Sequence, residues 1–401
     1  AAGSGGSGAQ GIVVITYTPT STLSFSPSLT WLKNRTSAFS HGLFDYIRKV
    51  FPFLSSDSTN GEDASASSTL TNFSHDGFTV ADSHIVNANT ENYISWNWRE
   101  DVTAGFDMVT YTGTGAAQTL SHNLSATPTF MMVKSRETTN GWSIYHHEVA
   151  SDPETDFLVL NSTAGAADDD TYWNDTVPTA STFTVGSNND TNKAGEEFIA
   201  YLFRDIEGYS KFGSYTGNTD ADGPFVYTGF KPRFILGKNT DSGSDDWWVF
   251  DAARNTYNVS DNRLRPNSNA VEDTQAWVDI LSNGFKVRDN GNGPNGSNNT
   301  IVYAAFAEQP FKASAEAYNH TIASYTRFSD DDNAYLNVTP TSETATTTWT
   351  FSAWVKRSNL GSWHTFFSAG TGASDRTELK FRQTTDELEL VHIESSVAIG
   401  Q

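Results

Sequence analysis

The sequence predicts an all-β protein made of tandem β-sandwich-like repeats followed by a partial jelly roll. Three observations carry that expectation. Runs of β-branched and aromatic residues, such as Gly11-Ile12-Val13-Val14-Ile15-Thr16-Tyr17, alternate with clusters of Asn, Asp, Gly, Ser and Thr, the pattern of short strands joined by turns. Helical periodicity is scarce: the best candidate, Phe44-Asp45-Tyr46-Ile47-Arg48-Lys49-Val50-Phe51, meets Pro52 at once, so a helix of about one or two turns is the most it predicts. A set of landmarks also recurs in fixed order along the chain, and any reading of the fold has to absorb it first.

The repeat is clearest at its lysines. Pro27-Ser28-Leu29-Thr30-Trp31-Leu32-Lys33, Pro128-Thr129-Phe130-Met131-Met132-Val133-Lys134 and Pro232-Arg233-Phe234-Ile235-Leu236-Gly237-Lys238 share a proline, a spacer and an apolar run, and the lysines recur at intervals of 101 and 104 residues. Each is followed by an aromatic strand (Leu43-Phe44-Asp45, Trp142 to His146, Trp247 to Asp251) and then by a Leu-containing turn and an acidic stretch. Next comes a short strand, Gly77-Phe78-Thr79-Val80, Thr182-Phe183-Thr184-Val185 or Gly284-Phe285-Lys286-Val287. Each unit closes on an aromatic run ending in an acid at Glu100, Asp205 or Glu308. Tyr111-Thr112-Gly113 and Tyr215-Thr216-Gly217 open the second and third units, with Tyr17-Thr18 as the first unit's version. Alternating Phe, Trp and Ile in these runs are expected to face sheet interiors. The predicted segments are 1–20, a glycine-rich stretch and leading strand; 21–102, 103–207 and 208–312, the β repeats; 313–323, a linker; and 324–401, the start of the jelly roll.

Composition narrows the function. The chain has 401 residues, 13% of them aromatic, no cysteine, and 25 Lys+Arg against 47 Asp+Glu for a net charge of −22. Such a surface repels phosphate backbones, so nucleic acid is not an expected partner. Without cysteine there are no disulfides, thiolate metal sites or cysteine nucleophiles. No apolar stretch approaches the ~20 residues that span a bilayer, so membrane insertion is not expected. The opening Ala1-Ala2-Gly3-Ser4-Gly5-Gly6-Ser7-Gly8 has neither the Met of a natural start nor a signal peptide's basic and apolar regions. The expectation is part of a longer polypeptide.

The segment Gly208-Tyr209-Ser210-Lys211-Phe212-Gly213-Ser214-Tyr215-Thr216-Gly217-Asn218, its continuation Asp222-Gly223-Pro224-Phe225-Val226-Tyr227-Thr228-Gly229-Phe230 and the ending Ala304-Ala305-Phe306-Ala307-Glu308-Gln309-Pro310-Phe311 resemble the repeated β-rich domain of tail-fibre and other virion structural proteins of marine bacteriophages, especially those of cyanobacteria. The resemblance covers residues 20 to 312. From Ser324, Tyr325 to Leu336 followed by Thr348-Trp349-Thr350-Phe351-Ser352-Ala353-Trp354-Val355-Lys356-Arg357 look like the start of a laminin-G or concanavalin-like domain. The resemblance implies a virion structural protein, in a tail fibre, appendage or decoration at the virion surface. It would serve display and host attachment, working as a homotrimer beside other virion proteins and touching host cell-surface glycan. The alternatives are a virion polysaccharide depolymerase and a cellular adhesin or filament subunit.

No catalytic constellation is expected. Glu387 and Glu389 share a strand face as glycosidase carboxylates do, but Val391 follows them and no third carboxylate is present, so a solvated hairpin is the favoured reading. His146-His147-Glu148 invite a metal, yet adjacent strand residues point to opposite faces. Asp168-Asp169-Asp170 and Asp330-Asp331-Asp332 offer oxygen ligands for a loop Ca2+, against a favoured reading as acidic turns; no cofactor is expected otherwise. Asn-X-Ser/Thr triplets such as those at Asn34, Asn72 and Asn123 follow from composition and carry no sugar if the resemblance holds. Glycan contact is expected at loop aromatics among turn formers: Tyr172 and Trp173 in Asp170-Thr171-Tyr172-Trp173-Asn174-Asp175, and Trp363 in Gly361-Ser362-Trp363-His364.

Overall fold

The computed structural model describes residues 13–17, 25–49, 51–63, 67–255, 257–307, 364–372, 375–382, 387–394 and 397–400. The chain divides into two compact units, Ala1–Ser324 and Tyr325–Gln401. The all-β class holds: the described strands pair into antiparallel sheets, and among the described residues helix is confined to single turns such as Asp170–Trp173 and Asn292–Asn295.

Three large sheets in the first unit share one strand order. An opening strand (Val13–Tyr17, Phe106–Thr112 or Ser210–Thr216) pairs with a closing strand (Tyr93–Trp98, Glu197–Phe203 or Thr300–Ala307). The closing strand pairs with a lysine strand (Leu29–Asn34, Phe130–Ser135 or Pro232–Asn239), and that with an aromatic strand (Gly42–Asp45, Ser143–His146 or Trp248–Asp251). The registers coincide. Lys33 lies opposite Ile94, Lys134 opposite Ile199 and Lys238 opposite Val302, while Tyr17, Tyr111 and Tyr215 lie opposite Tyr93, Phe198 and Ile301. The second sheet is extended by Asp156–Val159 and Ala167–Asp168. Beside each large sheet lies a smaller one: Leu70–Ser74 with Gly77–Val80, Gln118–Ser121 with Thr182–Val185, and in the third repeat four strands in the order Phe225–Tyr227, Gly284–Val287, Asp273–Leu281, Ser260–Arg263.

The continuous apolar runs of the sequence have a direct cause. Lysine and closing strands are covered on both faces, so every residue of Leu29–Asn34, Phe130–Ser135 and Tyr93–Trp98 is buried, as expected of strands between two layers. In the second repeat, Ile199, Tyr201 and Phe203 face one hydrophobic cluster, and Phe198, Ala200 and Leu202 face another. The first of these clusters also holds Trp31, Trp96 and Trp98 of the first repeat and Phe234, Leu236 and Phe306 of the third. Thus the repeats are not beads along a rod: they share one core.

That core has a pseudo-threefold axis. Trp98, Phe203 and Phe306 hold equivalent positions, opposite Leu29, Phe130 and Phe234, and their rings form a triangle with centroids 5.8 to 6.2 Å apart. Packing differs between copies in compensating ways. Leu32 lies opposite Gly42, and Val133 opposite Ser143. In the third repeat the sizes reverse: Trp248 lies opposite Gly237, where an added Cβ would come within 2.1 Å of the indole.

The helix expected over Phe44–Phe51 is not formed. Gly42–Asp45 pairs with the lysine strand, the Asp45 carboxylate accepts from the backbone N–H of Arg48 at 2.8 Å, and Lys49 and Phe51 adopt positive φ. Strand pairing and this side-chain turn take the backbone groups a helix would have used.

In the second unit, His364–Gly372, Asp375–Phe381, Leu388–Glu394 and Val397–Gly400 form an antiparallel sheet in sequence order. Leu388 and Leu390 are exposed, while Glu389 pairs with Arg382 at 2.7 Å. The strands expected in Tyr325–Arg357 lie outside the described residues.

Candidate functional site

The most unusual polar groups lie between the repeats and run cyclically. Lys33 Nζ donates to Asn269 O at 3.1 Å, Lys134 Nζ to Thr59 O at 3.0 Å and Lys238 Nζ to Thr163 O at 2.9 Å. Each lysine therefore reaches the repeat before it in the ring. His41, Trp142 and Trp247 follow the same path to Arg265 O, Ser55 O and Val159 O at 3.0, 2.8 and 3.0 Å. Because His41 Nδ1 accepts from Trp31 Nε1 at 2.9 Å, its Nε2 carries the proton, matching the indole N–H of its two counterparts. Backbone bonds Glu62 N to Arg136 O, Ala166 N to Thr240 O and Glu272 N to Arg35 O repeat the pattern at 2.7 to 3.1 Å. Burial pushes all three lysines down to about 8, since a low-dielectric site disfavours the ammonium.

Two of the three boundaries also carry buried ions. Arg254 bonds Asp251 at 2.5 Å and Glu272 at 2.7 Å, and Arg35 bonds Glu272 through two nitrogens at 2.9 and 2.7 Å. Burial raises the Glu272 carboxyl, but the hydrogen bond from Arg35 and the charge of Arg254 outweigh it and hold Glu272 below its usual range. At the equivalent boundary Arg48 bonds Asp45 at 2.5 Å, Tyr201 Oη donates to Asp45 at 2.7 Å and Arg136 pairs with Glu62 at 2.8 Å. At the third boundary His146 stands where the other two have Asp45 and Asp251. There His146, pushed down to about 3 by burial, meets Tyr303 O at 3.1 Å.

At His146-His147-Glu148, His147 Nε2 meets Phe212 O at 2.9 Å and Glu148 accepts from Ser214 Oγ at 2.9 Å. Asp169 caps the turn Asp170–Trp173 through Thr171 N, and Asp330 to Asp332 lie outside the described residues. Among the described residues no group of three His, Cys, Asp or Glu is placed to hold a metal.

Of the glycan residues expected from sequence, Tyr172 and Trp173 are buried. Trp173 is 1% exposed, its Nε1 donating to Asp156 O at 3.0 Å and its ring edge-on to Tyr145. Tyr172 is 7% exposed and stacks on Phe157 at 3.6 Å. The cap at Asp169 starts a helical turn that carries both rings beneath the sheet, so Tyr172 and Trp173 are core residues and offer no face to a sugar. Trp363 lies outside the described residues.

Exposed aromatics occur elsewhere, at the edge of the third repeat's small sheet. On Phe225–Tyr227, Val226 points inward and is 5% exposed, while Phe225 and Tyr227 are 47% and 65% exposed on the outer face. Val287 N donates to Pro224 O and Thr228 N to Asn283 O. Alternate residues of an antiparallel edge use the ladder, so the backbone N–H and C=O of Phe225 and Tyr227 point away from the sheet. Gly284, opposite Tyr227, is itself buried beneath this edge: an added Cβ there would come within 2.0 Å of Val226 O and 3.2 Å of the Phe225 ring. Lys286 bonds Asp222 at 3.0 Å and Gly223 O at 2.6 Å; Arg288 bonds Asp279 at 2.6 Å and Asp222 at 3.3 Å.

The sister repeat separates packing from function here. Val226 opposite Phe285 corresponds to Leu120 opposite Phe183, which places Thr119 and Ser121, both exposed, where the third repeat has Phe225 and Tyr227. Packing of the repeat does not demand aromatics at these positions. Read alone, Phe225-Val226-Tyr227 is indistinguishable from a core run; comparison with Thr119-Leu120-Ser121 is the signal that marks it out.

A family model described as Domain of unknown function (DUF7483) matches residues 6–310. No curated protein matches the sequence. The family match takes in the lysine strands, the axial triangle and the outer face of Phe225 and Tyr227 together, and on it the chain belongs to the DUF7483 family.

Proposed function

We propose that the chain is a structural and adhesive component of a virion appendage, presenting a rigid β body on the particle surface for attachment to host glycan. The observation that carries the proposal is the cyclic closure of three repeats on one core, with each lysine and each of His41, Trp142 and Trp247 bonded to the preceding repeat. Such a body distributes load over three boundaries. An internal threefold also suits coaxial docking on a trimeric neighbour, and the homotrimer and virion partners implied by the phage resemblance belong to the same proposal. Antibody raised against the first compact unit should label intact particles and block their adsorption to host cells. Labelling of cell surfaces without particles, or release of soluble fragments from host polysaccharide by the purified chain, would overturn it.

A further inference from the structure

The geometry points to a saccharide-binding platform on the third repeat, formed by Phe225 and Tyr227 over Gly284, that takes neutral glycan. The inference deepens the adhesive half of the reading above. Three features converge. The two rings lie on one face of a strand, about 6–7 Å apart along the chain by strand geometry, and are exposed where the sister repeat carries Thr119 and Ser121. Their own backbone N–H and C=O groups point outward at the same edge, so hydroxyl donors and acceptors meet partners beside the apolar C–H faces that pack on the rings. The flanking charges cancel locally: Lys286 is held by Asp222, and Arg288 by Asp279 and Asp222. Both cations are thus compensated rather than free to recruit a uronate or sulfate, and the net charge of −22 repels polyanions at longer range.

A peptide strand fits the edge less well. Pro224 precedes the strand and Gly229, at φ +86°, follows it, leaving two outward residues where strand addition gains affinity from a longer ladder.

The test uses the full chain and the variant Phe225→Thr/Tyr227→Ser, which carries the side chains the sister repeat tolerates at the same positions. Probes are cellohexaose, maltohexaose and mannohexaose, with polygalacturonate and a Thr-Val hexapeptide as contrasts, titrated by calorimetry and saturation-transfer NMR. At least one neutral hexasaccharide is expected to bind, with affinity insensitive to salt and reduced roughly tenfold or more in the double variant, whose melting temperature stays within about 2 °C. Three results would overturn the assignment: no binding by any neutral probe, equal binding by the variant, or preference for polygalacturonate or the peptide. Binding without particle labelling would leave the platform standing and remove the virion reading. Labelling without binding would do the reverse.

Discussion

Raising the pH from about 7 to about 9.5 should stabilise the first compact unit, because the buried lysines then shed a charge their sites disfavour. Each ammonium has a pKa of 10.5 when free and about 8 in the fold. Below 8 both folded and unfolded chains hold the proton and the cost of burying the charge is fully present. Between the two values the unfolded chain binds more protons, so stability rises with pH, and above 10.5 the gain is complete. At about pH 9.5 this amounts to about 2 kcal/mol per lysine, and to about 6 kcal/mol for three acting alike. The window closes near pH 10, where burial keeps Tyr201 and Tyr215 un-ionised in the fold while the unfolded chain's tyrosines ionise. Urea titrations followed by tryptophan fluorescence at several pH values supply the measurement, with the m-value checked for constancy. The Lys134→Met variant should lose about a third of the rise. A flat or falling profile between about pH 7.5 and 9.5, or a variant with the parent's slope, would show that the buried lysines do not set the pH dependence.

Phe203→Ala, which removes one corner of the axial triangle, should cost about 3–5 kcal/mol in a urea titration. Trp173→Ala should cost about as much while leaving adsorption to host cells unchanged, since its ring is buried. Arg254→Met strands the Asp251 carboxylate in a site where both side chains are fully buried and should cost about 3–5 kcal/mol near neutral pH. Glu272 is held below its ordinary value of 4.5, so its contribution is present above that value and lost as the pH falls through the folded one. Acidification should accordingly destabilise the parent more than the Arg254→Met variant, as circular dichroism at a series of acidic pH values would record.

The strand pattern and the lysine registers were legible because a charged residue at the end of an apolar run has few places to go, and Lys33, Lys134 and Lys238 mark the same position in each copy. Ring closure was not legible. Its bonds end on backbone carbonyls of Asn269, Thr59 and Thr163, and a carbonyl leaves no trace in residue identity. Asp and Asn around Tyr172 and Trp173 suggested an open loop, but the same Asp169 that signals a turn also caps a helical one and carries the rings inward. The reverse error hid Phe225 and Tyr227: alternation fixes which residues share a face, and only the sheet's position shows which face is wet. Asp45 and Arg48 read as part of an amphipathic helix because a buried ion pair at i, i+3 fits that spacing equally well.

If the three repeats form one cooperative body through cyclic contacts, native-state hydrogen exchange will show it. Exchange should be followed at the lysine strands Leu29–Asn34, Phe130–Ser135 and Pro232–Asn239, in the parent and in Phe203→Ala. The substitution, although confined to the second repeat, should lower the protection of all three strands by the same free energy. Loss of protection in Phe130–Ser135 alone, with the other two strands unchanged, would contradict it.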